Sequence, residues 1–230
     1  MNINIKDCEV NIITGTDTLE ITGKPQSAAP ADEGVISTQH TYSVAGFMAN
    51  RDKVKIGDRV KLPAFTVPAV EIDGEKKLAF DEKNIRADEA IVIGKDKNGD
   101  FILIFDHCLF ESAMDMNNEK RFEMTQLGLY LQSEFLRAMN GVGIPAESCG
   151  LISKEEMFGD NALEYFKKER NRIAFDFDEA CSRYYWLSTL YDEEASVAYF
   201  CGVSNYGLSY WNSASRAYPY VRPRFVISAI

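Results

Sequence analysis

The residues able to do covalent or acid–base chemistry are few, and their spacing does not favour it. Five cysteines occur: Cys8, Cys108, Cys149, Cys181 and Cys201. Their number is odd and no two are spaced as C-x-x-C, which argues against a zinc ribbon, a dithiol redox motif or a full disulfide set. They read as reduced thiols acting as small apolar side chains. The two histidines, His40 and His107, lie far apart in sequence, so a metal site with several imidazoles is not expected. Carboxylates cluster at Asp81-Glu82, Asp88-Glu89, Asp176/Asp178/Glu179 and Asp192-Glu193-Glu194. A glycosidase needs two carboxylates roughly 5 to 9.5 Å apart with separated pKa values. Adjacency in sequence does not supply that, and these read as solvated acids. Asp96-Lys97-Asn98-Gly99-Asp100 begins like a calcium loop but lacks the glutamate at the twelfth position, and reads as a turn. Neither a G-x-S-x-G elbow nor a glycine-rich phosphate loop occurs, and Cys108 beside His107 is a sequence neighbour at a strand end. The expectation is no catalytic residue, no metal and no cofactor.

A different chemistry, non-covalent recognition, is written into the C-terminal segment. Residues 184–230 hold 8 of the 11 tyrosines, both tryptophans and no lysine, so aromatic contact area is concentrated there. Tyr and Trp supply rigid amphipathic area at low entropic cost, and Ser, Asn and Gly supply adaptable polar contacts. Within an exposed face over 191–220, Tyr206, Tyr210, Trp211, Tyr218 and Tyr220 read as aromatic anchors, with Tyr191 and Tyr199 beside them. Asn205, Ser209, Asn212, Ser213, Ser215 and Arg216 read as polar contacts. Composition alone leaves open an aromatic-rich β core in which alternate tyrosines face solvent singly.

The elements that must position these residues follow from patterning. Residues 1–23 alternate weakly (Ile3, Ile5, Val10, Ile12, Leu19, Ile21) and predict short strands; 24–34, KPQSAAPADEG, reads as a linker. Val54–Ile56 and Arg59–Leu62 predict strands around a Gly57-Asp58 turn. Ala90–Ile93 and Phe101–Phe105 predict a hairpin turning near Asn98-Gly99, buried on both faces. Leu127, Leu131, Phe135 and Met139 predict an amphipathic helix over 124–140, with Gly141 as its C′ residue. Ser153-Lys154-Glu155-Glu156 fits a capping box, and Asn161–Glu164 offers a further helix start running to about Arg172. Val221–Ile227 predicts a strand whose Pro223 sits at an edge or bulge.

Length and charge bound the rest. A chain of 230 residues suits one domain plus an appendage, divided here as an N-terminal extension, 1–52, and a domain, 53–230. The net charge is −10, and the Lys167, Lys168, Arg170, Arg172 group is interleaved with Glu164 and Glu169. A phosphate backbone would be repelled, so nucleic acid is not an expected partner. No run approaches a membrane span, and MNINIKDCEV does not read as a secretory signal; a cytoplasmic protein or one assembled into a phage particle is expected.

IVIGKDKNGDFILIFDHCLFESAMD at 91–115, LGLYLQSEFLRAMN at 127–140, LISKEEMF at 151–158, YYWLSTL at 184–190 and YVRPRFVI at 220–227 together resemble a large group of bacterial and phage domains with a W-L-R-S strand and a closing V-R-P strand. That group is similar to the C-type-lectin-like fold of formylglycine-generating enzymes and of the variable proteins of diversity-generating retroelements. The resemblance covers roughly residues 54–230, and Trp186-Leu187-Ser188 and Val221-Arg222-Pro223 are its most specific parts. It implies an α+β fold of small twisted antiparallel sheets with two amphipathic helices, preceded by a β-rich extension. Thr189 follows Ser188 without the usual arginine. Nothing around Cys181 and Cys201 matches the oxidase motif, and Trp211-Asn212-Ser213 lacks the aspartate of calcium-dependent lectins; neither activity is carried over. The resemblance implies a non-enzymatic binder for a protein or glycan, with a C-terminal surface open to retroelement diversification at Asn, Tyr and Ser codons. Its alternative is a fixed phage tail or virion component of the same fold. In either case residues 1–50 are expected to serve docking or homo-oligomerisation.

Overall fold

The computed structural model describes residues 39–178 and 181–229. The strands and linker expected within 1–38, and the docking or oligomerisation role given to that segment, lie outside the described residues. The compact unit runs Gln39–Ile230. It therefore includes residues 39–52, which the sequence reading assigned to the extension: β1 (Thr41–Ser43) pairs in parallel with β2 (Arg59–Leu62), and α1 (Val44–Ala49) lies between them.

The class is α+β, mostly small sheets with few helices. After β2 come β3 (Phe65–Val67), β4 (Val70–Ile72), β5 (Leu78–Phe80) and β6 (Lys83–Ile85), which form two small ribbons, β3–β6 and β4–β5. The hairpin β7 (Asp88–Lys95) and β8 (Phe101–Phe105) turns at Gly99, φ +89°. β9 (Phe110–Glu111) leads to a helical stretch: α2 (Gln126–Tyr130), a π turn (Leu131–Phe135) and α3 (Leu136–Gly141). Then follow β10 (Ser148–Gly150), α4 (Lys154–Phe158), β11 (Tyr185–Leu190), β12 (Tyr199–Val203), β13 (Ser209–Ser213), β14 (Tyr220–Val221) and β15 (Arg224–Ile227). A six-stranded sheet runs β1-β2-β7-β8-β15-β10 and a five-stranded sheet β13-β12-β11-β14-β9. Among the described residues no helix is long and apolar enough to cross a membrane.

Strand alternation explains why FILIF in β8 is apolar throughout. Phe101, Leu103 and Phe105 face one core, with Phe47, Tyr130, Phe135, Trp186 and Phe225. Ile102 and Ile104 face a second, with Met157, Phe166, Tyr185 and Leu187. A strand covered on both sides has no polar face to offer. β11 and β12 divide in the same way: Trp186 and Phe200 enter the first core, Tyr185, Leu187, Cys201 and Val203 the second.

Four local expectations are corrected. Val54–Ile56 is not a strand: the Asp58 carboxylate accepts from Lys55 N–H at 2.9 Å and from His40 N–H at 3.0 Å, which draws 55–58 into a turn. The 161–172 region forms two short 3₁₀ turns, Glu164–Lys167 and Glu169–Arg172. There the Asn171 and Arg172 side chains donate to the carbonyls of Tyr165 and Phe166, which an α-helix would give to its own N–H groups. The left-handed residue after the long helix is Gly143, φ +84°, rather than Gly141, which closes α3. Pro223 lies between β14 and β15, so the expected single strand is two, one in each sheet. The capping box at Ser153 forms as expected.

One buried carboxylate ties the loops to the helix. Asp115 is 2% exposed and accepts from the N–H groups of Asn117 (2.6 Å), Glu119 (3.0 Å) and Gln126 (3.2 Å). Gln126 then donates to the carbonyls of Ile72 and Lys76 in the β4–β5 ribbon. Asn118, at φ +66°, holds Ser196 and Ala198 of the loop before β12. Asp115→Ala strands three backbone donors, and we expect a loss on the order of 3 kcal/mol. Ser153→Ala removes one helix cap and should cost about 1 kcal/mol. Urea midpoints of the two variants measure both; equal losses would deny Asp115 this role.

Candidate functional site

The candidate surface is built on the β12–β13 hairpin. Its turn, 204–208, is set by Gly207 at φ +77° and by Ser204 Oγ, which accepts from Tyr206 and Leu208 N–H. Among the described residues β13 pairs only with β12, in the register Tyr199↔Ser213, Cys201↔Trp211, Gly202↔Tyr210 and Val203↔Ser209, and ends the sheet.

Because successive strand residues point to opposite faces, the tyrosine-rich run is divided rather than displayed on one surface. On one face Trp211 stands opposite Cys201, stacked by Tyr191 (ring centroids 5.1 Å, 24°) and met edge-on by Tyr199 at 5.2 Å. Trp211 and Tyr191 are each half exposed. Ser209 and Ser213 share this face, and Ser213 Oγ lies 3.2 Å from Ser215 Oγ. On the opposite face Tyr210 lies over Gly202, where an added Cβ would come within 2.3 Å of its ring. Tyr184 meets Tyr210 edge-on at 5.1 Å. The Tyr210 hydroxyl is buried without a hydrogen-bond partner, and burial pushes its phenol pKa well up. Asn212 on that face donates to the Tyr218 hydroxyl.

The other expected residues fall around this strand or away from it. Tyr206, 74% exposed, stands at the hairpin tip. Asn205 accepts through its carbonyl from Ser182 Oγ. Ser215 and Arg216 are exposed beyond the end of β13. Tyr220 is half-buried away from the edge, its hydroxyl donating to Asp176 at 3.3 Å beneath the Arg183 guanidinium. The sequence reading missed the exposed Tyr184, Leu208 and Val197. An apolar residue inside a hairpin turn, as at Leu208, was the available signal.

A second polar grouping was not read from sequence. Asp88, at the start of β7, is buried, and His107 follows β8. His107 Nδ1 lies 2.6 Å from Asp88 Oδ1 and its N–H donates to Oδ2 at 3.3 Å. The ring stacks on Phe177 at 4.8 Å. Burial pushes the Asp88 carboxyl pKa up, against the hydrogen bond from His107. Arg59 bridges Glu89 and Asp106 alongside. Asp106, His107, Ile173, Ala174 and Phe175 line a cavity of about 370 Å³. This carboxylate–imidazole pair holds and orients a proton, and it pins the two ends of the β7–β8 hairpin together. Cys108, next to it, is fully buried and its thiol is pushed up to about 12, so it carries no thiolate near neutral pH. Among the described residues no group of His, Cys, Asp and Glu is placed to hold a metal ion.

The burial of Tyr210 separates scaffold from surface. Tyr210→Phe deletes an unpaired buried hydroxyl and should raise stability by about 1 kcal/mol. Gly202→Ala drives a methyl into the Tyr210 ring and should lower it by about 3 kcal/mol; chemical denaturation of both variants tests the packing. Compared with protein families, with curated proteins and with solved structures, the chain shows no match.

Proposed function

We propose that this protein is a non-enzymatic recognition module of C-type-lectin-like fold, which takes a protein or glycan ligand at the β12–β13 hairpin and its flanking loops. The observation that carries the reading is the exposure of four large aromatic side chains around one hairpin: Tyr191 (50%), Tyr206 (74%), Trp211 (50%) and Tyr218 (53%). Grouped exposed aromatics of this kind are the usual anchors of binding surfaces. The strand beneath is held rigidly, since Phe200, Cys201 and Val203 of β12 are buried in the two cores. Cys201, one of the two C-terminal cysteines, has its thiol pushed up by burial, which favours a packing role over thiol chemistry. The closing Val221-Arg222-Pro223 step supports the lectin-like reading, and the Tyr, Ser and Asn residues at exposed positions suit a diversified surface.

The test screens the full chain against a glycan array and a display library of short random peptides. A ligand found by either should lose roughly 100-fold in affinity when Tyr191, Tyr206 and Trp211 are changed together to alanine, while stability falls by no more than about 2 kcal/mol. Ligands that bind the triple variant unchanged would overturn the reading.

A further inference from the structure

We propose that the ligand is an extended polypeptide segment that adds to β13 as a further strand; this rests on the recognition reading and names its partner class. The ladder dictates it. Ser204 N–H donates to the Leu208 carbonyl and Ala214 N–H to the Ala198 carbonyl, so the even-numbered residues of β13 bond towards β12. In an antiparallel pair the alternate residues then turn their N–H and C=O outward. Those are Ser209 and Trp211, and among the described residues no strand lies beside them. At Ser213 the same groups are already engaged, the N–H by Asn212 Oδ1 and the carbonyl by Arg216 N–H. Two N–H and two C=O groups are therefore offered in strand geometry, the pattern that binds a peptide by strand addition. The molecule already makes a pairing this short: β1 joins β2 over three residues.

The flanking side chains fit a strand better than a sugar ring. One face of an added strand would lie beside the Tyr191–Trp211 stack and the other beside Asn212 and Tyr218. Both alternating sets of partner side chains thus meet aromatic surface. Charge selects the partner. Asp192, Glu193 and Glu194 follow Tyr191 directly and are exposed; they outnumber Lys120, whose Nζ donates to the Glu193 carbonyl, and Arg216. A segment with Lys or Arg is favoured, whereas a second copy of a chain of net charge −10 is repelled.

The experiment uses the full chain and peptides selected from the random library. Ser209→Pro deletes one outward N–H and leaves the Tyr191–Trp211 stack in place; Ser209→Ala keeps the N–H. Selected peptides should carry net positive charge. They should lose roughly tenfold in affinity on Ser209→Pro and about twofold or less on Ser209→Ala. They should slow hydrogen exchange of the Ser209 and Trp211 amides. N-methylation of alternate peptide residues should abolish binding in one register and spare it in the other, a readout that needs no altered protein. Peptides that depend on Trp211 but ignore both Ser209→Pro and N-methylation would overturn strand addition and leave the recognition reading standing, as would a Trp211-dependent glycan with no peptide selected. Slow exchange of these amides in the isolated chain would assign the edge to the chain itself if independent of concentration, or to a second copy if it appears with a dimer; either overturns the proposal. Absence of any Trp211-dependent ligand from both screens overturns both readings.

Discussion

A buried guanidinium holds the two sheets in register. Arg222 is 2% exposed and sits where the chain leaves β14, in the five-stranded sheet, and enters β15, in the six-stranded one. Its Nε donates to the Phe105 carbonyl at the end of β8 (2.8 Å). Its plane lies 5.5 Å over the Tyr185 ring at the start of β11, with Nη1 3.5 Å from the hydroxyl. Pro223, next in the chain, accepts from Phe105 N–H. Burying a cation costs several kcal/mol, and among the described residues no carboxylate forms an ion pair with it. The carbonyl and the aromatic face offset that cost. The Tyr185 hydroxyl donates onward to the Arg172 carbonyl, so the 3₁₀ turns are fixed by the same chain of contacts.

That junction explains why the two cores are built from the same strands. Once β14 and β15 are joined through Arg222-Pro223, β8 and β11 lie close enough for their side chains to fill both spaces. Each strand then sends odd residues one way and even residues the other. Little freedom remains in this interior, and the freedom that exists is pushed to the far edge of the five-stranded sheet. β13 lies three strands from the junction strand β14 and is covered by no further strand among the described residues. It is therefore the place where side chains can differ without disturbing the cores.

The sequence disclosed what depends on short-range pattern and hid what depends on tertiary partners. The β7–β8 hairpin, its Gly99 turn and the Ser153 capping box are local: period, turn residue and cap suffice. The 164–172 turns read as a helix in sequence because the competing donors, Asn171 and Arg172, act on carbonyls within the segment itself, which periodicity does not weigh. Val54–Ile56 looked extended until Asp58 claimed Lys55 N–H. The His107–Asp88 pair joins residues 19 positions apart, visible only once β7 and β8 are paired. The aromatic segment was found by composition, yet composition carries no phase. The alternation that sends Trp211 and Tyr210 to opposite faces needs the register with β12.

That register decides which of the Tyr, Ser and Asn residues belong to a surface and which to the scaffold. Tyr210 belongs to the scaffold: its ring rests on Gly202, a position where a side chain would collide with both the ring and the Tyr185 carbonyl. Tyr220 also serves the fold, through Asp176 and Arg183. Tyr206, Ser209 and Trp211 are exposed on a hairpin whose backbone geometry is set elsewhere, by Ser204, Gly207 and the pairing with β12, and Ser215, Arg216 and Tyr218 are exposed beyond its end. Replacing an outward residue changes the chemistry presented at the edge while the row of outward N–H and C=O groups stays where it is. Under the proposed strand addition, affinity would come from the backbone and selectivity from the side chains, and an outward residue could change without reopening either core.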